Sequence, residues 1–223
     1  DYGPCAFMNA YNPSTVFSSI DKNGRYSYKN QPKVTHWNLA VFANTLIPII
    51  ADNEEKAVEL VKEKLSRFSS MFSQKWYDMM YKKIGITGPI TKDKKLVDTL
   101  LDLMKQYKAD YTNTFAALSS DVESNDALFT STEFKQWQKQ WKDRIDYQRN
   151  SVEILELMQT QNPLIIPRNH LVESALEESS NHDFSQFNDL LNLISNPYDY
   201  ISNHDFQSTP KGFDDSYKTY CGT

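Results

Sequence analysis

From Asn53 to Gly85, apolar residues return every three or four positions: Ala57, Val61, Leu65, Phe68, Phe72, Trp76 and Met79. At about 3.6 residues per turn, that spacing places all seven on one stripe of a helix, and a strand cannot display them on one face. Asn53 is a suitable N-cap, Glu54 and Glu55 suit the positive first turn, and Lys82 and Lys83 suit the last. Gly85 follows as the C′ residue. One helix is therefore expected over 53–84. A second is expected over 32–50, starting at Pro32, carrying Val34, Trp37, Leu39, Val41, Phe42 and Leu46, and ended or kinked by Pro48.

The same period recurs at Thr91–Tyr107, Tyr111–Leu118, Thr132–Arg149, Val152–Thr160, His170–Ser179 and Phe184–Ile194. Gly88-Pro89, Asn162-Pro163, Ile166-Pro167 and Asn196-Pro197 supply the breaks. Runs alternating apolar and polar residues are scarce, so the expected fold is mainly α. Trp76, Trp137 and Trp141 fall on helical stripes and read as core rather than as stacking platforms for bases. Lys92, Lys94 and Lys95 around Asp93 read as a solvated face.

Charge narrows the function. With 24 Lys and Arg against 29 Asp and Glu, the chain carries -5 at pH 7. That balance gives no electrostatic attraction to nucleic acid or anionic lipid. No apolar run approaches the roughly 20 residues that span a bilayer. The 6 glycines form no phosphate-cradling loop, and no His-Arg-Asp-like catalytic segment occurs. His36, His170, His182 and His204 lack the close spacing of a zinc site. With 2 cysteines, Cys5 and Cys221, there is no disulfide scaffold and a reducing compartment is the default.

The first residues, Asp1-Tyr2-Gly3-Pro4, carry the strongest chemical hint. An Asp-aromatic-Gly triplet also serves as an ordinary turn. In kinase-fold enzymes its carboxylate binds the metal that bridges the nucleotide phosphates. The context is more specific. Phe7-Met8, Ala10-Tyr11-Asn12-Pro13, Gly24-Arg25-Tyr26, Asn30-Gln31-Pro32 and Trp37-Asn38-Leu39 follow the triplet in order. Asp110-Tyr111-Thr112, Thr114-Phe115, Asn162-Pro163, Arg168-Asn169, Asp183-Phe184 and Asn196-Pro197-Tyr198 extend the series, and Cys221 stands third from the end. Through these motifs the chain resembles the selenoprotein O family, also called the YdiU family.

That resemblance implies the C-terminal helical portion of a protein kinase-like (pseudokinase) fold, from an enzyme that transfers AMP from ATP to Ser, Thr or Tyr hydroxyls of proteins. It implies Asp1 as the metal and cofactor ligand, for Mg²⁺ or Mn²⁺ with ATP, and a redox role for Cys221; Cys5 is the one intramolecular partner available to it, and the alternative is a reduced, packed Cys5 beside a free Cys221. It divides the chain into an activation-segment-like region at 1–31, a helical domain at 32–198 and a tail at 199–223. Arg25 and Tyr26 either touch nucleotide or anchor that first region. The catalytic-loop residues and the phosphate-binding Lys and Arg are expected upstream of Asp1. The chain alone is therefore expected to be inactive, and its partners are ATP, protein substrates and the missing N-terminal part. Nucleic acid and membrane are not expected as partners. The expected location is the cytoplasm, or the mitochondrion in a eukaryote. A second reading stays open, in which the same stripes serve a non-enzymatic helical protein-interaction domain.

Overall fold

A computed structural model describes residues 7–87, 93–120, 124–146, 151–200 and 208–217. Among these residues the structure is helical and contains no β-strand. An isolated antiparallel bridge joins Ala10 to Asp110. Two compact units are present, one made of residues 13–79 and the other of residues 1–12 with 80–223.

The 13–79 unit begins with an irregular loop closed by Asp21. Its carboxylate accepts from the backbone N–H groups of Arg25 and Tyr26 at 2.9 and 2.8 Å. The Arg25 guanidinium lies 4.8 Å from the centre of the Trp37 ring, so within this unit it anchors the loop to the following helix. A 3-10 turn, Tyr28–Asn30, leads into α1 (Gln31–Ile50), followed by α2 (Glu54–Ser66) and α3 (Phe68–Lys83). Asn53 caps α2 through its side chain, 3.0 Å from the Lys56 N–H, as its position indicated.

One expectation for this unit needs correction. The single helix over 53–84 is two helices, interrupted at Arg67. The Ser66 hydroxyl donates back to the Glu63 carbonyl at 2.7 Å, and the Arg67 N–H turns to the Lys64 and Leu65 carbonyls, three and two residues earlier. A serine bonding backward in this way competes with the helix ladder and bends it. Pro48 lies inside the last turn of α1, which runs to Ile50 as its pattern predicts. Near a C-terminus it removes just one late backbone bond.

The apolar stripes are also less buried than their period implies. Ala57 is fully buried and Val61, Leu65, Phe68 and Trp76 are half-buried, but Phe72 and Met79 are exposed. On α1 only Val34 is buried, while Trp37, Leu39, Val41 and Phe42 are exposed.

The other unit holds the larger core. It takes the end of α3 and adds α4 (Lys94–Gln106), α5 (Tyr111–Leu118), α6 (Ala127–Thr130), α7 (Thr132–Asp146), α8 (Ser151–Gln161), α9 (Asn169–Ser180), α10 (Ser185–Ser195) and α11 (Phe213–Ser216). Helix α3 stops where Gly85 turns left-handed at φ 70°. The Gly85 N–H bonds to the Lys82 carbonyl and the Ile86 N–H to the Tyr81 carbonyl, closing a Schellman motif. A Cβ on Gly85 would stand 2.5 Å from Ile154 and 2.8 Å from the Met158 sulfur, so the close approach of α8 also requires glycine.

Helices α4 and α7 form the centre of this core. Val97, Leu100 and Met104 face Phe134, Trp137 and Trp141, all buried. The two indoles stack with centroids 5.6 Å apart, and their N–H groups donate to the Leu96 and Ile84 carbonyls at 2.8 and 2.7 Å. Asp93 departs from the solvated face expected for it. Lys94 and Lys95 are exposed, but the Asp93 carboxylate is buried and meets Arg144 at 3.1 Å through both oxygens.

Candidate functional site

Asp1, Cys5 and Cys221 all lie outside the described residues. What the structure does place is the segment that follows the Asp1 motif, and a polar cluster holds it.

The organiser of that cluster is Arg168, 1% exposed, at the N-cap of α9. Ile166-Pro167 keeps the chain extended up to this point and delivers the guanidinium into the interior. One terminal nitrogen donates to Asn9 Oδ1 and to Asp110 Oδ2, both at 2.6 Å, and to Thr209 Oγ1 at 3.1 Å. The other donates to Asp110 Oδ1 at 3.2 Å and to Asn113 Oδ1 at 3.0 Å. Arginine suits this position because its planar fork matches a carboxylate with two parallel bonds, and a buried guanidinium needs many acceptors.

Asp110 has two tasks. As N-cap of α5 its carboxylate accepts from the Asn113 N–H at 2.8 Å, and the same group neutralises Arg168. Around it the backbone of residues 9–11 is paired. The Tyr111 N–H donates to the Asn9 carbonyl at 2.7 Å and the Tyr11 N–H to the Ala109 carbonyl at 2.8 Å. Asn169 closes the upstream end. Its side chain accepts from the Phe7 N–H at 3.3 Å and donates to the Phe7 carbonyl at 3.1 Å.

The segment 208–217 joins the same cluster. Asn9 Nδ2 donates to Asp214 at 2.7 Å, and the Tyr217 hydroxyl donates to Glu173 at 2.8 Å. Phe213 lies edge-on to His170 and stacks on Tyr217. Burial and then the nearby Arg168 charge hold His170 below the usual imidazole range, against an opposing pull from Asp214. Burial, followed by the bond to Glu173, pushes the Tyr217 hydroxyl up to about 12.

A second polar site lies at the end of α3. Lys83 is buried, and its ammonium donates to the Gln161 carbonyl at 3.2 Å and lies 4.8 Å from the centre of the Phe115 ring. No carboxylate among the described residues pairs with it, and burial lowers its pKa to about 8. Beside it, Asn162 Nδ2 donates to the Lys83 carbonyl and to Ser119 Oγ, both at 2.8 Å, and the Tyr200 hydroxyl donates to the Asn162 carbonyl at 2.7 Å.

Neither cluster is built to hold a metal. Among the described residues no three His, Cys, Asp or Glu side chains converge on a point. The arrangement anchors residues 7–11 and 208–217. Sequence reasoning quoted Asp110, Asn162 and Arg168 as parts of motifs without giving them a role, and missed Asn9 altogether. The Ile166-Pro167-Arg168 and Asp110-Tyr111-Thr112 strings were the available signals, and only folding shows that they meet.

Residues 1–195 match the family described as Protein adenylyltransferase SelO. Over its whole length the chain is 48% identical to a protein of Clostridium botulinum named Protein nucleotidyltransferase YdiU. Proteins of the same name from Lachnoclostridium phytofermentans and Bacillus cereus are each 46% identical to it. The chain spans about half the length of these curated relatives, 46% of the Clostridium protein and 47% of the Lachnoclostridium one. No helix among the described residues is long and apolar enough to cross a membrane.

Proposed function

Because the chain belongs to the SelO family of protein adenylyltransferases, we propose that it supplies the helical, kinase-like C-terminal portion of an enzyme that transfers AMP from ATP to Ser, Thr or Tyr hydroxyls of proteins. In that reaction the hydroxyl oxygen bonds to the α-phosphorus, the bond to the β-phosphate bridge breaks, and pyrophosphate leaves. The hydroxyl proton passes to a base outside the described residues. Asp1 would give one carboxylate oxygen to the Mg²⁺ or Mn²⁺ that accompanies ATP, a hard ligand suited to a hard cation. The other ligands and the cations that steady the phosphates come from the part of the family's length that this chain does not match. A reducing cytoplasm suits a chain with 2 cysteines.

The observation that supports this reading is the Arg168 cluster. Asn9, Asp110 and Arg168 come from stretches far apart in sequence, yet they meet in one hydrogen-bonded group that ties down residues 7–11, immediately after the Asp1 motif. Anchoring the chain a few residues from a metal ligand is the kind of support a phosphate-transfer site requires.

The test uses a chimera in which this chain replaces the matching part of the Clostridium botulinum relative. With ATP labelled at the α-phosphate and an acceptor protein, the chimera should transfer label and Asp1→Ala should abolish transfer without unfolding the protein. The chain alone should neither transfer label nor bind ATP–Mg²⁺ at micromolar concentration by calorimetry. Transfer by the chain alone, or undiminished transfer by the Asp1→Ala chimera, would overturn the assignment.

A further inference from the structure

Helix α1 is chemically unlike the other helices. Its 20 residues contain one formally charged side chain, Lys33, near the start. Trp37 is 54% exposed, Phe42 59% and Ile49 80%, and Leu39, Val41 and Ile50 are exposed as well. The exposed polar residues beside them, Thr35, Asn38, Asn44 and Thr45, are uncharged, and so many large exposed apolar side chains on one helix mark an interaction site.

The distribution of these residues says what kind of partner fits. At about 100° per residue, Trp37, Val41, Ile49, Phe42, Leu39 and Ile50 spread over roughly 220° of the helix circumference. A single docked helix, or the same helix from a second copy, covers a stripe of about 100°. Closing the rest needs several elements at once, a domain-sized cover. The near absence of charge matches the centre of a permanent interface rather than a transient one. On the other side, His36 stacks on Phe68 of α3 at 5.2 Å, so α1 is already seated along one line and presents its remaining faces outward.

We infer that α1 is the docking surface for the part of the family polypeptide outside the match, and that this part packs around α1 from Trp37 to Ile50 as a permanent, largely uncharged interface. The length of the relatives supports that occupant, since about half of each lies outside the region this chain matches. The inference deepens the proposed function by naming where the two portions join, and it rests on that reading.

Hydroxyl-radical footprinting tests it, with mass spectrometry of the peptide that carries Trp37 and Phe42. Labelling of this peptide should fall several-fold from the chain alone to the Clostridium chimera, while labelling of the exposed tip residue Ile20 stays the same. Equal labelling of the α1 peptide in both would overturn the inference. So would protection in the chain alone that grows with concentration alongside a dimer in light scattering, because a second copy would then be the cover. If the chimera does not fold, this chain is co-expressed with the part of the Clostridium protein outside the match, and the same peptide decides: protection supports the inference, unchanged labelling overturns it. Failure here and failure of the proposed function are distinct. Protection of α1 without label transfer defeats adenylyl transfer alone, and transfer with α1 still exposed defeats the docking surface alone.

Discussion

Replacing Lys83 by Met should raise stability at neutral pH and lose that gain at strongly alkaline pH. Lys83 is 8% exposed, its ammonium with one carbonyl and two ring faces for company and no carboxylate partner among the described residues. Burial disfavours the charged form and holds the folded-state pKa at about 8, against 10.5 for an ordinary lysine. Folded and unfolded states therefore bind protons differently between those two values. Below about pH 8 both are protonated, and the folded state bears the full cost of a desolvated charge. As pH rises from about 8 to 10.5 the folded state has already lost its proton while the unfolded state still holds one, so stability climbs across the window. Above 10.5 both are neutral and the cost has gone.

The difference between 10.5 and about 8 corresponds to roughly 3 kcal/mol at about 1.36 kcal/mol per pH unit. Methionine keeps the length and apolar body of the side chain and never charges. Losing the bond to the Gln161 carbonyl offsets the gain by about 1 kcal/mol, leaving roughly 2 kcal/mol of added stability at pH 7. Urea unfolding followed by tryptophan fluorescence, at intervals from pH 7 to 10.5, measures both proteins. Titrations of the other lysines and tyrosines occur in both and cancel in the difference. The gap between Lys83→Met and the parent should shrink steadily from pH 8 upward. Parallel curves, or a variant less stable than the parent at pH 7, would refute the argument that an uncompensated buried charge sits at this position.

Arg168→Leu should cost about 3–5 kcal/mol, because it strands the Asp110 carboxylate and the Asn9 and Asn113 side chains with no cation; Arg168→Lys should recover only part of this, since an ammonium cannot fork, and urea midpoints for the two variants check the order. Trp141→Ala should cost about 3–5 kcal/mol through loss of a buried, stacked, hydrogen-bonded indole, whereas Phe72→Ala, at an exposed position, should cost under about 1 kcal/mol. Equal costs in thermal or urea unfolding would mean that the two units share the burial of their stripes alike.

Local chemistry was readable before folding. Tyr111–Leu118 is a helix with the bounds its pattern predicted, because Asp110 caps it through a bond that needs only neighbours in sequence. Gly85 ends α3 for the same reason: a left-handed residue and a Schellman closure are decided within six residues. The ordered motifs from Asp1 to Asn196 pointed to the family that residues 1–195 match. Period also assigned Trp137 and Trp141 to the core correctly, since both faces of that contact, α4 and α7, lie within this chain.

Tertiary structure alone decided how deep each stripe is buried and which polar residues meet. Phe72 and Trp137 occupy equivalent places in their patterns, yet one is 39% exposed and the other 2%. Amphipathic spacing says which side of a helix is apolar, but burial requires an opposing surface, and among the described residues α1 meets none around much of its circumference. The Arg168 cluster was hidden for a related reason. Asn9, Asp110 and Arg168 are separated by as many as 159 positions, and no local rule pairs a guanidinium with a carboxylate so far away. Only the fold brings them within 2.6 Å, because a charge carried into the interior must find its counter-charge there.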